Sequence, residues 1–219
     1  MTPKIVQQTT SNFHQAFPLI VYEKKLSGFL SSLYKSFEDG KFDNSTGKIV
    51  GEHHGKVLIH HDKRLRPFFK QVTNSVYEYL DYFKIDKSAF KVNFVKTWFT
   101  ICDPQQTLPM HYHSCSHISW IYYIQTPGDP LVLHHKNPNE WFGDAFRFIT
   151  ENRFNNGDGY VINPTTEHLI MFPSSIEHYT SAEDRQHQRI SLVGDIILTL
   201  KDRTDSESGL LPSQYWKQF

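Results

Sequence analysis

From Phe90 onward the chain breaks into short runs of β-type residues with no helical pattern between most of them, and this restricts its fold more than any other feature. Segments 92–101, 118–125, 131–135, 159–162, 169–172 and 189–198 are rich in Val, Ile, Phe, Tyr, Trp and Thr, and each predicts a strand. Between them stand Asp-Pro at 103–104, Pro-Gly-Asp-Pro at 127–130, Asn-Pro at 137–138, Asn-Gly-Asp-Gly at 156–159 and Asn-Pro at 163–164, all strong turn signals. A parallel sheet would need crossover connections, usually helices, between its strands. Their absence predicts a mainly β fold of the jelly-roll or sandwich type. Segment 139–154 is the exception and reads as an insertion crossing the mouth of the barrel.

The first 90 residues follow a different rule. Segment 17–22 is a short strand candidate. Leu26, Phe29, Leu30, Leu33 and Phe37 recur at helical spacing within 25–37, and Leu65, Phe68, Phe69, Val72, Val76, Tyr79, Leu80 and Phe83 form an apolar stripe over 62–83, with Asp62 as N-cap. Segment 40–55 has no periodicity and reads as a loop. The organisation expected is an N-terminal α/β extension, 1–90, whose helices pack on a β core, 91–200, followed by a C-terminal tail, 201–219.

Lys plus Arg and Asp plus Glu each number 23, so no global field draws this chain to nucleic acid or to an anionic membrane. The basic cluster Lys63-Arg64-Leu65-Arg66 reads as the solvated first turn of a helix. Cys102 and Cys115, thirteen residues apart, support neither a disulfide framework nor a cysteine zinc site. No signal-like segment or long apolar run occurs, so a soluble, cytoplasmic protein is expected.

The candidate chemistry lies in Met110-His111-Tyr112-His113 and in Phe172-Pro173-Ser174-Ser175-Ile176-Glu177-His178. Side chains at i and i+2 of a strand share a face, so His111 and His113 can form two sides of a metal site that His178 closes. His-x-His alone is a weak signal in a chain with 13 histidines. Context strengthens it: Arg189-Ile190-Ser191 opens a further strand, and an arginine pointing into a β barrel needs an anion, ideally a carboxylate gripped by its fork. Iron chemistry usually employs two histidines and a carboxylate. His113 stands where that carboxylate would be usual, so either His113 is the third ligand or a nearby acid such as Asp103 or Asp129 supplies it.

His111-Tyr112-His113, Ser119-Trp120-Ile121-Tyr122-Tyr123-Ile124, the Phe172 to His178 segment and Arg189-Ile190-Ser191, taken in order, resemble the 2-oxoglutarate- and Fe(II)-dependent oxygenases. The small bacterial and phage-type members, similar to the prolyl hydroxylase group, are the branch most alike. The resemblance covers about 96–197. It implies a double-stranded β-helix, cupin-like, with N-terminal helices packed on it. It further implies iron held by His111, His178 and His113, with Arg189 binding the far carboxylate of 2-oxoglutarate, helped by Tyr123 and, as a weaker candidate, Ser191.

The activity so implied is hydroxylation by Fe(II), 2-oxoglutarate and O2, releasing succinate and CO2, with a small molecule or peptide side chain as the unidentified substrate. Neither a membrane nor nucleic acid is an expected partner, and the oligomeric state is open. Two rivals remain: a cupin-like zinc enzyme with three histidines and a water, and a non-catalytic barrel protein whose metal site has decayed. Trp98, Trp120 and Trp141 are candidates for a dry wall around the site. The adjacent pairs His53-His54, His60-His61 and His134-His135 cannot clamp one ion if extended, although His135 could line the pocket. His117 is a possible substrate contact, and Cys115 reads as a packing residue.

Overall fold

The computed structural model describes residues 19–39, 58–134, 159–180, 187–202 and 211–217. Its strands are β1 (Tyr22–Lys25), β2 (Phe90–Cys102), β3 (Leu108–His111), β4 (Ile118–Gln125), β5 (Leu131–His134), β6 (Gly159–Ile162), β7 (His168–Pro173), β8 (Glu177–Thr180) and β9 (Arg189–Leu200). One sheet has the order β1-β7-β4-β9-β2 and the other β3-β8-β5-β6, and all pairings within them are antiparallel. The two sheets enclose a shared core of Trp98, Ile121, Tyr123, Ile170, Phe172 and Val193 from the larger with Leu131, Leu133 and Ile162 from the smaller. This is the mainly β jelly roll expected.

Helices α1 (Leu30–Glu38) and α2 (Arg66–Tyr82) cover the other face of the larger sheet. Leu33, Phe68, Val72 and Val76 are fully buried there against Trp120, Tyr122, Leu169, Met171 and Leu192. The apolar stripe holds as read, except that Phe83 is largely exposed. Helix α1 starts later than its periodicity predicts. Lys25 is committed to β1, and Gly28 turns the chain at φ +92°, a conformation L side chains rarely adopt.

Asp62 caps as expected, although its target is a short 3-10 turn, Lys63–Leu65, that precedes α2. Its carboxylate accepts from the Arg64 backbone N–H at 3.0 Å and from Ser36 Oγ at 2.9 Å, so it also ties α2's entry to α1. The Arg64 guanidinium beside it holds that carboxyl down at about 2.

Parity along the central strands assigns every inward residue. On β4, Ile118, Trp120, Tyr122 and Ile124 join the helical core while Ile121 and Tyr123 join the inter-sheet core. On β9, Ile190, Leu192 and Ile196 face the helices, which leaves Arg189, Ser191, Val193 and Asp195 for the interior. Trp120 therefore lies on the wrong face to line the site, a correction to the expected tryptophan wall; Trp141 falls outside the described residues.

Gly194 is the β9 partner of Trp120, and a Cβ built on it would lie 2.6 Å from Cζ2 of that ring and 2.8 Å from Thr97 Cγ2. Both obstacles are held in a packed core. Gly194→Ala is accordingly expected to cost about 1–3 kcal/mol in overpacking, read as a lower urea midpoint with an unchanged m value.

The strands that carry two of the histidines are the ones the residue pattern did not reveal. β3 and β8 are four residues each, and β3 contains Pro109. Proline is tolerated because β3 is an edge strand, where a missing N–H breaks no ladder bond. Segment 17–22 is likewise corrected: the strand begins at Tyr22 and runs to Lys25, with Glu23 opposite Ile170 of β7. No helix among the described residues is long and apolar enough to cross a membrane.

Candidate metal centre

His111 and His178 are cross-strand partners in the β3–β8 ladder, which brings their ring centroids to 4.3 Å. His113 arrives from a loop that leaves the smaller sheet and enters the larger one at Ile118. Its position is fixed by its own N–H, which donates to Ser174 O at 3.0 Å in the β7–β8 turn. One potential ligand atom from each histidine lies within 4.8 Å of the other two. Three residues separated by up to 67 positions thus converge at one end of the barrel.

The hydrogen bonds of the three rings settle which nitrogen is available. Nδ1 of His111 lies 2.7 Å from Pro109 O, Nδ1 of His178 lies 3.0 Å from Ile176 O, and Nδ1 of His113 lies 2.6 Å from Asp195 Oδ1. Each of these three partners is an acceptor, so each Nδ1 carries the hydrogen and the ring lone pair falls on Nε2; Ser119 Oγ, 3.0 Å from His113 Nδ1, can accept there as well. Holding the ring through the N–H opposite the ligand atom is how metal-binding histidines are fixed in tautomer and orientation. Burial, with His111 alongside, pushes the His178 imidazole down to about 3, which keeps that ring neutral.

Neither acid considered as a substitute ligand joins the cluster. Asp103 is exposed and accepts from Gln188 Nε2 at 2.6 Å, while Asp129 is buried in the electrostatic surroundings of Tyr123. Asp195 is the carboxylate that the sequence reading missed. It is nine-tenths buried at its side chain, and Ser119 Oγ lies 2.9 Å from both Asp195 Oδ1 and Ser174 Oγ. The available signal was parity: an acid six positions after Arg189 in a buried strand shares its face and must find a partner.

Arg189 is 2% exposed and lies opposite Cys102 of β2. Its Nη2 donates to Cys102 Sγ at 2.9 Å, while Nε and Nη1 have no hydrogen-bond partner. A buried guanidinium with two unmatched donor groups is costly to leave so, and a carboxylate entering the barrel would satisfy it. Tyr123, whose phenol burial pushes up against the opposing pull of Arg189, pairs with Ser191, and both are buried. Strand parity therefore gathers Tyr123, Ser191 and Arg189 on one inner face.

Trp98 is the wall residue that the structure retains, with its ring 5.5 Å from that of His113 and Lys96 Nζ 4.4 Å above it. His117 turns out to be structural: its Nδ1 accepts the Leu198 N–H at 3.0 Å, binding the entry loop to β9. His60 is held by Thr97 and His134 by Glu177, and neither belongs to the cluster. His53, His54 and His135 lie outside the described residues. Cys115 is exposed at φ +61°, a turn position rather than a packing one.

Residues 96–195 match the family described as "Putative 2OG-Fe(II) oxygenase". Among solved structures, HygX from Streptomyces hygroscopicus with nickel and 2-oxoglutarate bound is similar at a TM-score of 0.52 and 10% identity, over 81% of this chain and 82% of that one. A Pseudomonas putida prolyl-4-hydroxylase gives 0.47 and 13%, over 81% and 91%. A 2OG-Fe(II) oxygenase family protein from Burkholderia pseudomallei gives 0.44 and 12%, over 61% of this chain and 56% of that one. The chain thus spans little more than half of the Burkholderia protein, and no curated protein matches it in sequence. At such identities the HygX likeness speaks for the fold. The segment matched by the family model contains the three histidines, Tyr123, Arg189 and Asp195.

Proposed function

We propose that the 91–200 core is a 2-oxoglutarate-dependent hydroxylase in which His111, His113 and His178 hold Fe(II) and Arg189 receives the distal carboxylate of the co-substrate. The observation that carries this reading is Arg189: a buried guanidinium with unmatched Nε and Nη1, on the inner face of a barrel whose mouth holds three convergent histidines. A three-histidine zinc enzyme accounts for the mouth and gives Arg189 nothing to bind. When bound, Fe(II) with 2-oxoglutarate and O2 supplies oxidative decarboxylation to succinate and CO2, coupled to hydroxylation of an unidentified small molecule or peptide side chain.

The protein's own part is binding and orientation. The β3–β8 ladder fixes two imidazoles and the Ser174 carbonyl fixes the third. Arg189, with Tyr123 and Ser191 beside it, anchors the far end of a dicarboxylate so that its keto-acid end points back to the histidines. Trp98 and Phe172, whose rings lie 5.5 Å from His113 and 4.8 Å from His178, exclude water from the side of the cluster.

The decisive experiment is anaerobic titration of 2-oxoglutarate into the Fe(II)-loaded protein. The expected result is a visible charge-transfer band that saturates with co-substrate. Stoichiometric zinc with no spectral response would favour the hydrolytic rival, and absence of any metal binding would favour the non-catalytic one.

A further inference from the structure

The three imidazoles are not held alike. His111 and His178 direct Nδ1 to neutral backbone carbonyls, whereas His113 directs Nδ1 to a carboxylate at 2.6 Å. His113 is also the residue standing where a carboxylate ligand is usual in such iron sites. A divalent ion with three neutral imidazoles would keep its full charge within a partly buried cluster, and that is unfavourable without an anion close by. Asp195 is that anion, and nothing about the strand itself requires an acid at this position: its neighbours on the same face are Val193, Ser191 and Arg189, and Ser119 already gives the local hydroxyls a partner in Ser174.

We infer that Asp195 is a positioning residue which supplies, one hydrogen bond away through His113, the negative charge that a directly coordinated carboxylate would otherwise bring to the metal. The inference rests on the three-histidine metal reading. In this arrangement the carboxylate does two things: it fixes the His113 tautomer with Nε2 toward the ion, and its charge makes that imidazole a stronger donor. Coordination and charge compensation, usually one residue's task, are divided between a loop residue and a strand residue 82 positions apart.

The relocation of charge makes a prediction that a merely structural role does not. Asp195→Asn keeps the shape and an oxygen that can accept the Nδ1–H, so only the charge is lost. Co(II) affinity, followed by the visible spectrum of the ion in the whole chain, is expected to fall about 10–100-fold with the metal-free melting temperature little changed. His113→Asp would place two carboxylates in one buried site and should also bind Co(II) poorly. Combining the two changes leaves a single carboxylate, now at the ligand position, and should recover at least tenfold of the loss seen in His113→Asp.

Were Asp195 only a prop for the loop or for β9, the two losses would add instead. Parental affinity in Asp195→Asn, or a double variant no better than His113→Asp, overturns the inference. Should Asp195→Asn not fold alone, the comparison of His113→Asp with the double variant still decides it. A parent that binds no Co(II) would fail differently, because it removes the metal reading itself.

Discussion

Replacing His178 with alanine is expected to abolish stoichiometric Fe(II) binding while the chain still folds. The imidazole contributes one of three converging nitrogens, and its loss leaves two ligands, when loss of a group merely hydrogen-bonded to a ligand already weakens such a site by roughly 10–100-fold. The fold should survive because β8 is tied to β5 and β3 by backbone ladders that do not involve the ring. Removing one buried ring is expected to cost about 1–2 kcal/mol. Equilibrium dialysis with iron quantification, paired with a melting curve, separates the two effects. Tight iron in a folded His178→Ala protein would sink its assignment as a ligand.

Arg189→Ala is expected to reduce 2-oxoglutarate affinity by about thirtyfold to several thousandfold, the roughly 2–5 kcal/mol lost with a buried charge-assisted contact. Arg189→Lys should be damaging too, since a point charge cannot reproduce the planar fork. A second readout runs in the opposite direction. In the protein without co-substrate the guanidinium has unmatched Nε and Nη1, so an apolar residue of similar reach is better suited to that pocket. Arg189→Met should therefore melt higher than the parent alone, yet gain nothing from added 2-oxoglutarate, whereas the parent is stabilised in proportion to ligand concentration. Equal thermal shifts with 2-oxoglutarate in parent and variant would remove Arg189 from the co-substrate site.

How far each element is legible in the sequence follows from the physics of its signal. The long central strands announced themselves because buried β runs of eight or more residues leave little else for Ile, Val, Tyr and Trp to do, and β4 matched its expected 118–125 bounds. The α2 stripe was equally plain, since Phe68, Phe69, Val72, Val76, Tyr79 and Leu80 are buried at helical spacing. β3 and β8 were hidden because four residues are too few to show alternation, and both contain the polar or cyclic residues that usually mark turns. Their pairing is a tertiary fact. The same holds for Asp195: its acidity was visible, but its partner is loop-borne and distant, and only strand parity could have placed the two on one side. Trp120 was misplaced for want of that same parity count, being one residue out of step with Ser119 and Ile121.

β9 serves two interiors at once, with Arg189, Ser191, Val193 and Asp195 on one side and Ile190, Leu192, Gly194 and Ile196 on the other. A strand with one solvated face can drift by substitution on that face; this one has no such freedom. A single-residue insertion between Arg189 and Asp195 would exchange the two sets over part of the strand, sending a charged residue into the helical core and a branched aliphatic chain toward the histidine cluster. Chain length across this stretch is thus under tighter constraint than the identity of most residues in it. Evolutionary variety in such a protein has its room in the connecting segments, where added residues alter what approaches the barrel without shifting the ruler on which its chemistry is marked.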